Sequence, residues 1–309
     1  MSRTGNERGQ VIVLTVIALT VLLGMSALVL DVGAWFRSKR QLQATADAAA
    51  LAGAQALPDT PGAAFNMALD YANKNGGAVA GGDVTITSTN VGNDTISVAA
   101  KKQEPGFFST VLGVSVVDVG AKATAIVGTP NKARYVAPMV VSCNHDLIKN
   151  CNDSQKLPTF NVPTQLDFDK MGAPGAFGML DLANSKGNTG SKELGDWIQY
   201  GYNSYLPLGK YDSDPGAKFN SSNVSGALQN RVGSVLLFPV FDTLTGNGSN
   251  AQYNIIGWVG FHLTQVGNIQ GNNATLYGYF TEYIAQGILP SSGGQGSSNF
   301  GVKSIQLIK

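Results

Sequence analysis

Two pairs of carboxylates stand one residue apart in this sequence, Asp167 and Asp169 in LDFDK and Asp212 and Asp214 in YDSDPG. Hard oxygen ligands at that spacing can hold Ca²⁺ in a loop. Neither pair continues into the further acidic position and terminal Glu of an EF-hand, and DPG is also an ordinary turn. The two histidines offer little more. His145, in CNHD, stands near Cys143 and Asp146. A zinc site takes three or four protein ligands at recognisable spacing, and that pattern is missing. His262 lies inside an apolar run and reads as a satisfied core histidine. No GxSxG elbow, Walker A loop or GxGxxG loop occurs. The Gly-rich TGNGSN sits between two apparent strands and reads as a hairpin loop. Trp197, Trp258 and the tyrosines can either present a face to a surface glycan or fill a core. The chemistry therefore predicts no catalytic residue, no cofactor and no metal.

Cys143 and Cys151 are the only cysteines, with seven residues between them. CxxC redox or zinc spacing is absent. Outside the cell the natural outcome is a small disulfide loop; the alternative is two unrelated thiols.

The elements that would position these residues start with an unusual composition. Charged residues make up 13% of the 309, about half the usual quarter. Residues 1–130 carry nine basic and nine acidic side chains, and the remainder twelve and eleven. No concentrated basic face exists for a nucleic acid. The 38 glycines, with many Asn and Ser in the second half, suit turn-rich β structure.

The run VIVLTVIALTVLLGMSALVL, Val11 to Leu30, holds no charge, and thirteen of its residues are Leu, Ile or Val. About 20 apolar residues match the hydrocarbon core of a bilayer at helical rise. On an insertion scale the thirteen contribute about −4 to −8 kcal/mol before small offsets from Thr, Ser and Gly. Val11, Leu14, Leu19, Leu23, Leu28 and Leu30 are expected to face lipid. A signal peptide usually has a shorter apolar core, although VGA at Val32–Ala34 has the small residues of a cleavage site. The segment after Leu30 favours a retained helix. It holds no proline until Pro58, and it is rich in Ala, Leu, Gln, Arg and Lys. Gly33 and Gly53 are weak interruptions. One continuous helix from about Gln10 to Leu57 is predicted, about 70 Å long, with only its first half in the membrane. Ala44, Ala48, Ala52 and Ala56 form one small-residue stripe on the outer half, and Ala46, Ala50 and Ala54 a second. Small residues admit another backbone closely, either of the same domain or of a neighbouring subunit. Arg3 and Arg8 precede the span; Arg37, Lys39 and Arg40 come after it. That balance leans toward a cytoplasmic C-terminus, but long domains translocate largely regardless of charge. The cysteine pair and the uncharged, Asn-rich surface favour an N-terminus inside and a C-terminus outside.

ERGQ before the apolar run and LVLDVGAWFRSKRQLQATADAAALAGAQAL after it resemble the N-terminal module of TadE/TadG-like proteins of Tad (Flp) pilus assembly. The resemblance rests on Arg8, Gly9, Asp31, Gly33, Trp35, Arg40, Leu42, Gln43 and the run Ala46–Ala52. It is strong over 1–57, fair over 58–130, where GFFSTVLGVSVVDVGAKATA looks like the closing helix and strand of the module, and weak beyond. It implies a membrane-anchored, pilin-like component with pilus-assembly or pilin subunits as partners, and it implies no catalysis. Prepilin peptidases cut after a Gly with Glu five residues on. The residue five after Gly9 is Leu14, and five after Gly5 is Gln10. That departure favours an unprocessed accessory protein over a major filament subunit.

The overall expectation is an α+β chain: a transmembrane and stalk helix (1–57), a pilin-like α+β module (58–130) and a mostly β extracytoplasmic domain (131–309). In the module, a helix after Pro61 is capped by Asp59 or Thr60 and stopped at Gly76 or Gly77. A hairpin forms around VGND, then a short helix in EPGFFSTVLG and a long strand. In the last domain, helices are predicted from Ser191, which would cap, and in NSSNVSGALQNRVG. Strands are predicted in VAPMVVS, SVLLFPVFD, YNIIGWVGFHLTQV, ATLYGYFTEYI and VKSIQLIK, with PSSGGQGSS a flexible linker. Amino-terminal sequencing of the mature protein separates the two fates of the apolar run. An intact or Gln10 start is the expected result; a start at Trp35 means release by signal cleavage.

Overall fold

A single uninterrupted helix, α1, runs Glu7–Ala54. The computed structural model describes residues 7–148, 151, 157–168, 176–183, 189–214, 218–271, 273–290 and 298–308. The chain divides into two compact units, Met1–Ile126 with Leu307–Lys309, and Val127–Gln306. Helix α1 ends three residues before the expected Leu57, in a turn ahead of Pro58. Proline lacks an N–H, and the residue before it is pushed out of helical geometry.

Along Val11–Leu30 every side chain is exposed except that of Ala27, which is half-buried. This part of α1 is long and apolar enough to cross a membrane. Its three hydroxyls are internally paired: Thr15 donates to Val11 O at 2.8 Å, Thr20 to Val16 O at 2.8 Å and Ser26 to Leu22 O at 2.9 Å. Each hydroxyl of the run thus has an acceptor within the helix, a pairing that hydrocarbon surroundings would require, since an unpaired polar group there costs several kcal/mol.

From Asp31 onward the same helix becomes core. Leu42, Ala46, Ala49, Ala50, Ala52 and Ala54 are buried. They face helix α2 (Pro61–Lys74) and the sheet of β1 (Val84–Thr87), β2 (Thr95–Pro105) and β3 (Val116–Gly128). The three strands pair in that order, antiparallel throughout. Helix α2 contributes Ala64, Ala68 and Ala72, four residues apart on one face. Its N-cap is Thr60, but the Thr60 hydroxyl donates back to Ala56 O at 3.0 Å instead of capping α2. At the other end the Gly77 N–H returns to Ala72 O at 2.8 Å. The β1–β2 loop folds over the buried Asp94 carboxylate, which accepts from the N–H groups of Thr89, Asn90 and Val91 at 2.7–2.9 Å. Burial alone would raise the pKa of Asp94, but these amides outweigh it and hold it below the ordinary value. The segment EPGFFSTVLG, expected as a short helix, is a single 3₁₀ turn over Ser109–Leu112.

The second unit is mostly β. Its strands are β4 (Lys132–Ala133), β5 (Met139–Ser142), β6 (Pro163–Phe168), β7 (Ala176–Met179), β8 (Leu206–Pro207), β9 (Gly209–Asp212), β10 (Val235–Thr245), β11 (Gln252–Gln270), β12 (Asn273–Thr281), β13 (Tyr283–Ile284), β14 (Gly287–Ile288) and β15 (Val302–Ile308). The helices are α3 (Ser191–Tyr200) and α4 (Ser222–Asn230). Strands β10, β5, β7, β6, β12 and β11 pair successively, and β11 pairs back onto β10, so the ring closes. Closure removes the exposed edges that invite aberrant pairing. The 19 residues of β11 make this possible, its first part pairing with β10 and its last with β12. Phe177, Phe238, Phe261, Phe280 and Trp258 are among the core side chains, and the Trp258 indole donates to Pro130 O at 3.1 Å. TGNGSN is the connection between β10 and β11, as expected of a hairpin loop. Helix α3 is capped by Gly190, with Ser191 its first residue, whereas Ser221 caps α4 by accepting from Asn223 N. Most of the predicted PSSGGQGSS linker lies outside the described residues.

Gly53 turns out to be a packing residue. A Cβ there would stand 2.6 Å from Ile96 Cδ1 and 2.8 Å from Ala64 O, whereas at Gly33 it would meet nothing within 4 Å. Ala for Gly within a helix gains about 1 kcal/mol of propensity, but overpacking a tight contact costs about 1–3 kcal/mol. Gly53→Ala is therefore expected to lower the thermal unfolding temperature of the detergent-solubilised protein, and Gly33→Ala to leave it unchanged or raise it. Equal effects of the two would contradict this packing.

Candidate functional site

The most organised polar cluster of the first unit lies where α1 leaves its apolar half. Asp31 comes directly after Leu30 and is only 1% exposed. Its carboxylate accepts from three consecutive backbone amides: Phe107 at 3.2 Å, Phe108 at 2.9 Å and Ser109 at 2.6 Å. These N–H groups open the 3₁₀ turn between β2 and β3, so a negative charge meets the donor end of a helical turn. Burial alone would raise the pKa of Asp31; the amides of Ser109, Phe108 and Phe107 reverse that and hold it below the ordinary 3.8. A carboxylate whose folded pKa is depressed contributes stability above its unfolded pKa. It loses that contribution as pH falls through the lower folded value.

Ser38 and Thr45 continue the line at seven-residue spacing, a repeat that keeps one helix face toward one neighbour. Both are buried. The Ser38 hydroxyl donates to Glu104 Oε1 at 2.7 Å near the end of β2. Lys102 pairs with the same oxygen at 2.9 Å, and Lys102 first, then Ser38, lowers the pKa of Glu104. The Thr45 hydroxyl donates to Asn75 O at 2.6 Å, just after α2. Gln43 reaches Lys122 O on β3 at 3.3 Å. Three polar side chains on one helix stripe therefore each fix a different element: the turn, β2 and the end of α2. Sequence reasoning singled out Asp31 only as a motif position and missed Ser38 and Thr45. The seven-residue spacing of the three was the available signal.

The expected small-residue stripe is redistributed. Ala52 is buried, Ala48 and Ala56 are half-buried, and Ala44 is exposed. The second stripe, Ala46, Ala50 and Ala54, is the fully buried one. The docking of α2 and β2 selects it, because a helix bedded on two neighbours buries the arc between them.

The chemical candidates are engaged structurally. Cys143 and Cys151 form a disulfide, so the Cys143 sulfur is committed and does not join His145 at a metal. His145 is buried, its ring edge-on to Phe280 with centroids 5.1 Å apart, and its Nδ1 accepts from Leu147 N at 3.1 Å. Burial lowers the pKa of His145, against a smaller opposing effect of Asp146. His262 stacks flat on Tyr279 at 4.7 Å; its Nδ1 has no partner among the described residues, so it is not the satisfied histidine expected. Asp167 accepts from Gln165 and Thr275, and Asp169 lies outside the described residues. Asp212 accepts from Gln252, and Asp214 is buried. Among the described residues no three His, Cys, Asp or Glu side chains are grouped to hold a metal. Trp197 and Trp258 are both buried and offer no ring face to a glycan.

The organised feature is therefore the stalk itself. Residues 9–56 match the Tad family model, described as "Putative Flp pilus-assembly TadE/G-like". The TadE/G-like segment is α1 almost end to end, including the apolar half, Asp31, Ser38 and Thr45. Over this segment, and not beyond it, the chain is similar to pilus-assembly proteins of the TadE/G-like group. No curated protein and no solved structure matches the chain.

Asp31→Ala removes the acceptor of three amides at once. Wild-type protein is expected to show slow hydrogen exchange at Phe107, Phe108 and Ser109, and the variant fast exchange at the same three. Retained protection in the variant would refute the clamp.

Proposed function

We propose that this protein is a membrane-anchored structural component of a Tad (Flp)-type pilus-assembly system, a minor pilin-like or accessory protein and not an enzyme. The observation that carries the reading is the continuity of α1. One helix supplies both an exposed apolar run of bilayer length and the buried spine of a folded α/β unit, and the family match covers both halves. Burial of Val11–Leu30 in lipid retains the chain. The N-terminus lies in the cytoplasm and the two folded units lie outside, where the Cys143–Cys151 disulfide is stable.

The partners are the membrane and other pilus-assembly or pilin subunits. Ala44, exposed, with Ala48 and Ala56 half-buried, leaves a shallow strip of α1 on which a neighbouring subunit can lie. The domain of closed β strands projects from the membrane and contributes contact surface rather than chemistry.

Fractionation with protease accessibility on intact cells tests anchorage and sidedness together. The protein is expected to stay in the membrane pellet through high salt and alkali, to be released by detergent, and to lose residues 131–309 to external protease. Recovery as a freely soluble chain lacking its first 34 residues would sink the reading in favour of a secreted protein. A membrane-retained chain with 131–309 protected would reverse the orientation.

A further inference from the structure

The turn that Asp31 holds is itself apolar and uncovered. Phe107 is 71% exposed and Val111 87% exposed, and Phe108, Val114 and Val116 are exposed as well. An isolated exposed valine needs no explanation; a cluster of five large apolar side chains at one hairpin end does. These side chains do not point into water at random. Phe108 and Val111 line an open apolar groove of about 810 Å³ whose other wall is the exposed half of α1, with Leu23, Ala27 and Leu30. The hairpin end therefore runs alongside the last turns of the helix before Asp31, at the depth of residues 20–30.

Most of the backbone N–H groups of this turn are paired within the protein. The N–H of Gly106 donates to Ser115 O, Val111 to Phe108 O, Gly113 to Thr110 O and Val114 to Ser109 O, while Phe107, Phe108 and Ser109 donate to Asp31. Two of its three hydroxyls turn inward as well, Ser109 onto Val114 O and Thr110 onto Gly106 O, while Ser115, just before β3, is exposed. A loop bathed in water has no need of this, because water satisfies its amides. A loop in hydrocarbon cannot exist without it. About two helical turns beyond Asp31, Arg37, Lys39 and Arg40 are exposed. About 9 Å separates Arg37 from Asp31 along the helix, the reach of a headgroup layer.

We propose that the β2–β3 turn, Phe107–Val116, is a second membrane-inserted element: its apolar side chains sit among lipid acyl chains beside α1, at a depth set by the Asp31 clamp. The occupant of the groove is bilayer lipid. The apolar surface is continuous with the spanning helix, and the basic residues stand where anionic headgroups would meet them. The chain then touches the bilayer at two places in sequence, and the folded unit cannot swivel freely about its anchor. The proposal rests on the reading of α1 as a membrane anchor.

The test uses the full chain reconstituted in phosphatidylcholine vesicles containing phosphatidylglycerol, with single nitroxide labels at Val111→Cys, Leu19→Cys and Val91→Cys. Val91 is exposed on the β1–β2 loop, at the far end of the sheet from the turn. The Val111 label is expected to behave like the Leu19 label, colliding with dissolved oxygen and shielded from an aqueous nickel chelate, with Val91 the reverse. A chelate-accessible Val111 label beside a lipid-like Leu19 label overturns the proposal and leaves the anchor standing. An aqueous Leu19 label removes the anchor and the proposal together. A Val111 label shielded from both reagents and immobilised means that protein, such as the helix of a second copy, fills the groove, and that also overturns it. All three positions are exposed, so the labels disturb no core contact.

Discussion

One helix has an exposed apolar half and a buried half. Between Val11 and Leu30 no side chain but that of Ala27 is even half-buried among the described residues, and the run is long and apolar enough to cross a membrane. Further along, the same rod is packed so closely that Gly53 has no room for a methyl group. Neither half can be changed in isolation. A kink or break between them would uncouple the span from the fold, and the sequence places no proline before Pro58. The helix runs through this boundary without interruption.

The boundary is defined chemically as well as by length. Asp31, Ser38 and Thr45 are buried at seven-residue intervals, each with a partner on a different element. A buried hydrogen bond contributes about 1 kcal/mol net, whereas a buried polar group left unpaired costs about 1–3 kcal/mol. Such a ladder adds modest stability and strong discrimination: a rotation or one-turn slip of α1 breaks all three contacts at once, although the Thr45 hydroxyl keeps its bond to Gln41 O within the helix. The alanines between them supply closeness without register, since one small side chain packs much like the next. Polar contacts therefore specify the seating that alanine packing makes tight.

The second unit puts its chemistry-bearing residues to structural use. A cysteine pair closes a short loop, and His145 and Trp258 are spent on core contacts. The strands close into a ring, which protects a β-rich unit of low charge from edge-to-edge association.

The apolar run, the continuous helix, the α+β character and the Tad resemblance were all legible in the residues. Each is a local property: length, composition and periodicity over consecutive positions. The hairpin around VGND and the helix after Pro61 were legible for the same reason. What the residues alone left undecided was which alanine stripe is buried, because both are periodic and only the docking of α2 and β2 chooses Ala46, Ala50 and Ala54 over Ala44. The partner of Asp31 lies 76 residues away or more, and no local pattern announces it. The closing of the β ring depends likewise on β11 pairing with both β10 and β12. Local order follows from neighbours in the chain; the acceptor a buried amide finds, and the face a helix hides, are settled only when distant segments meet.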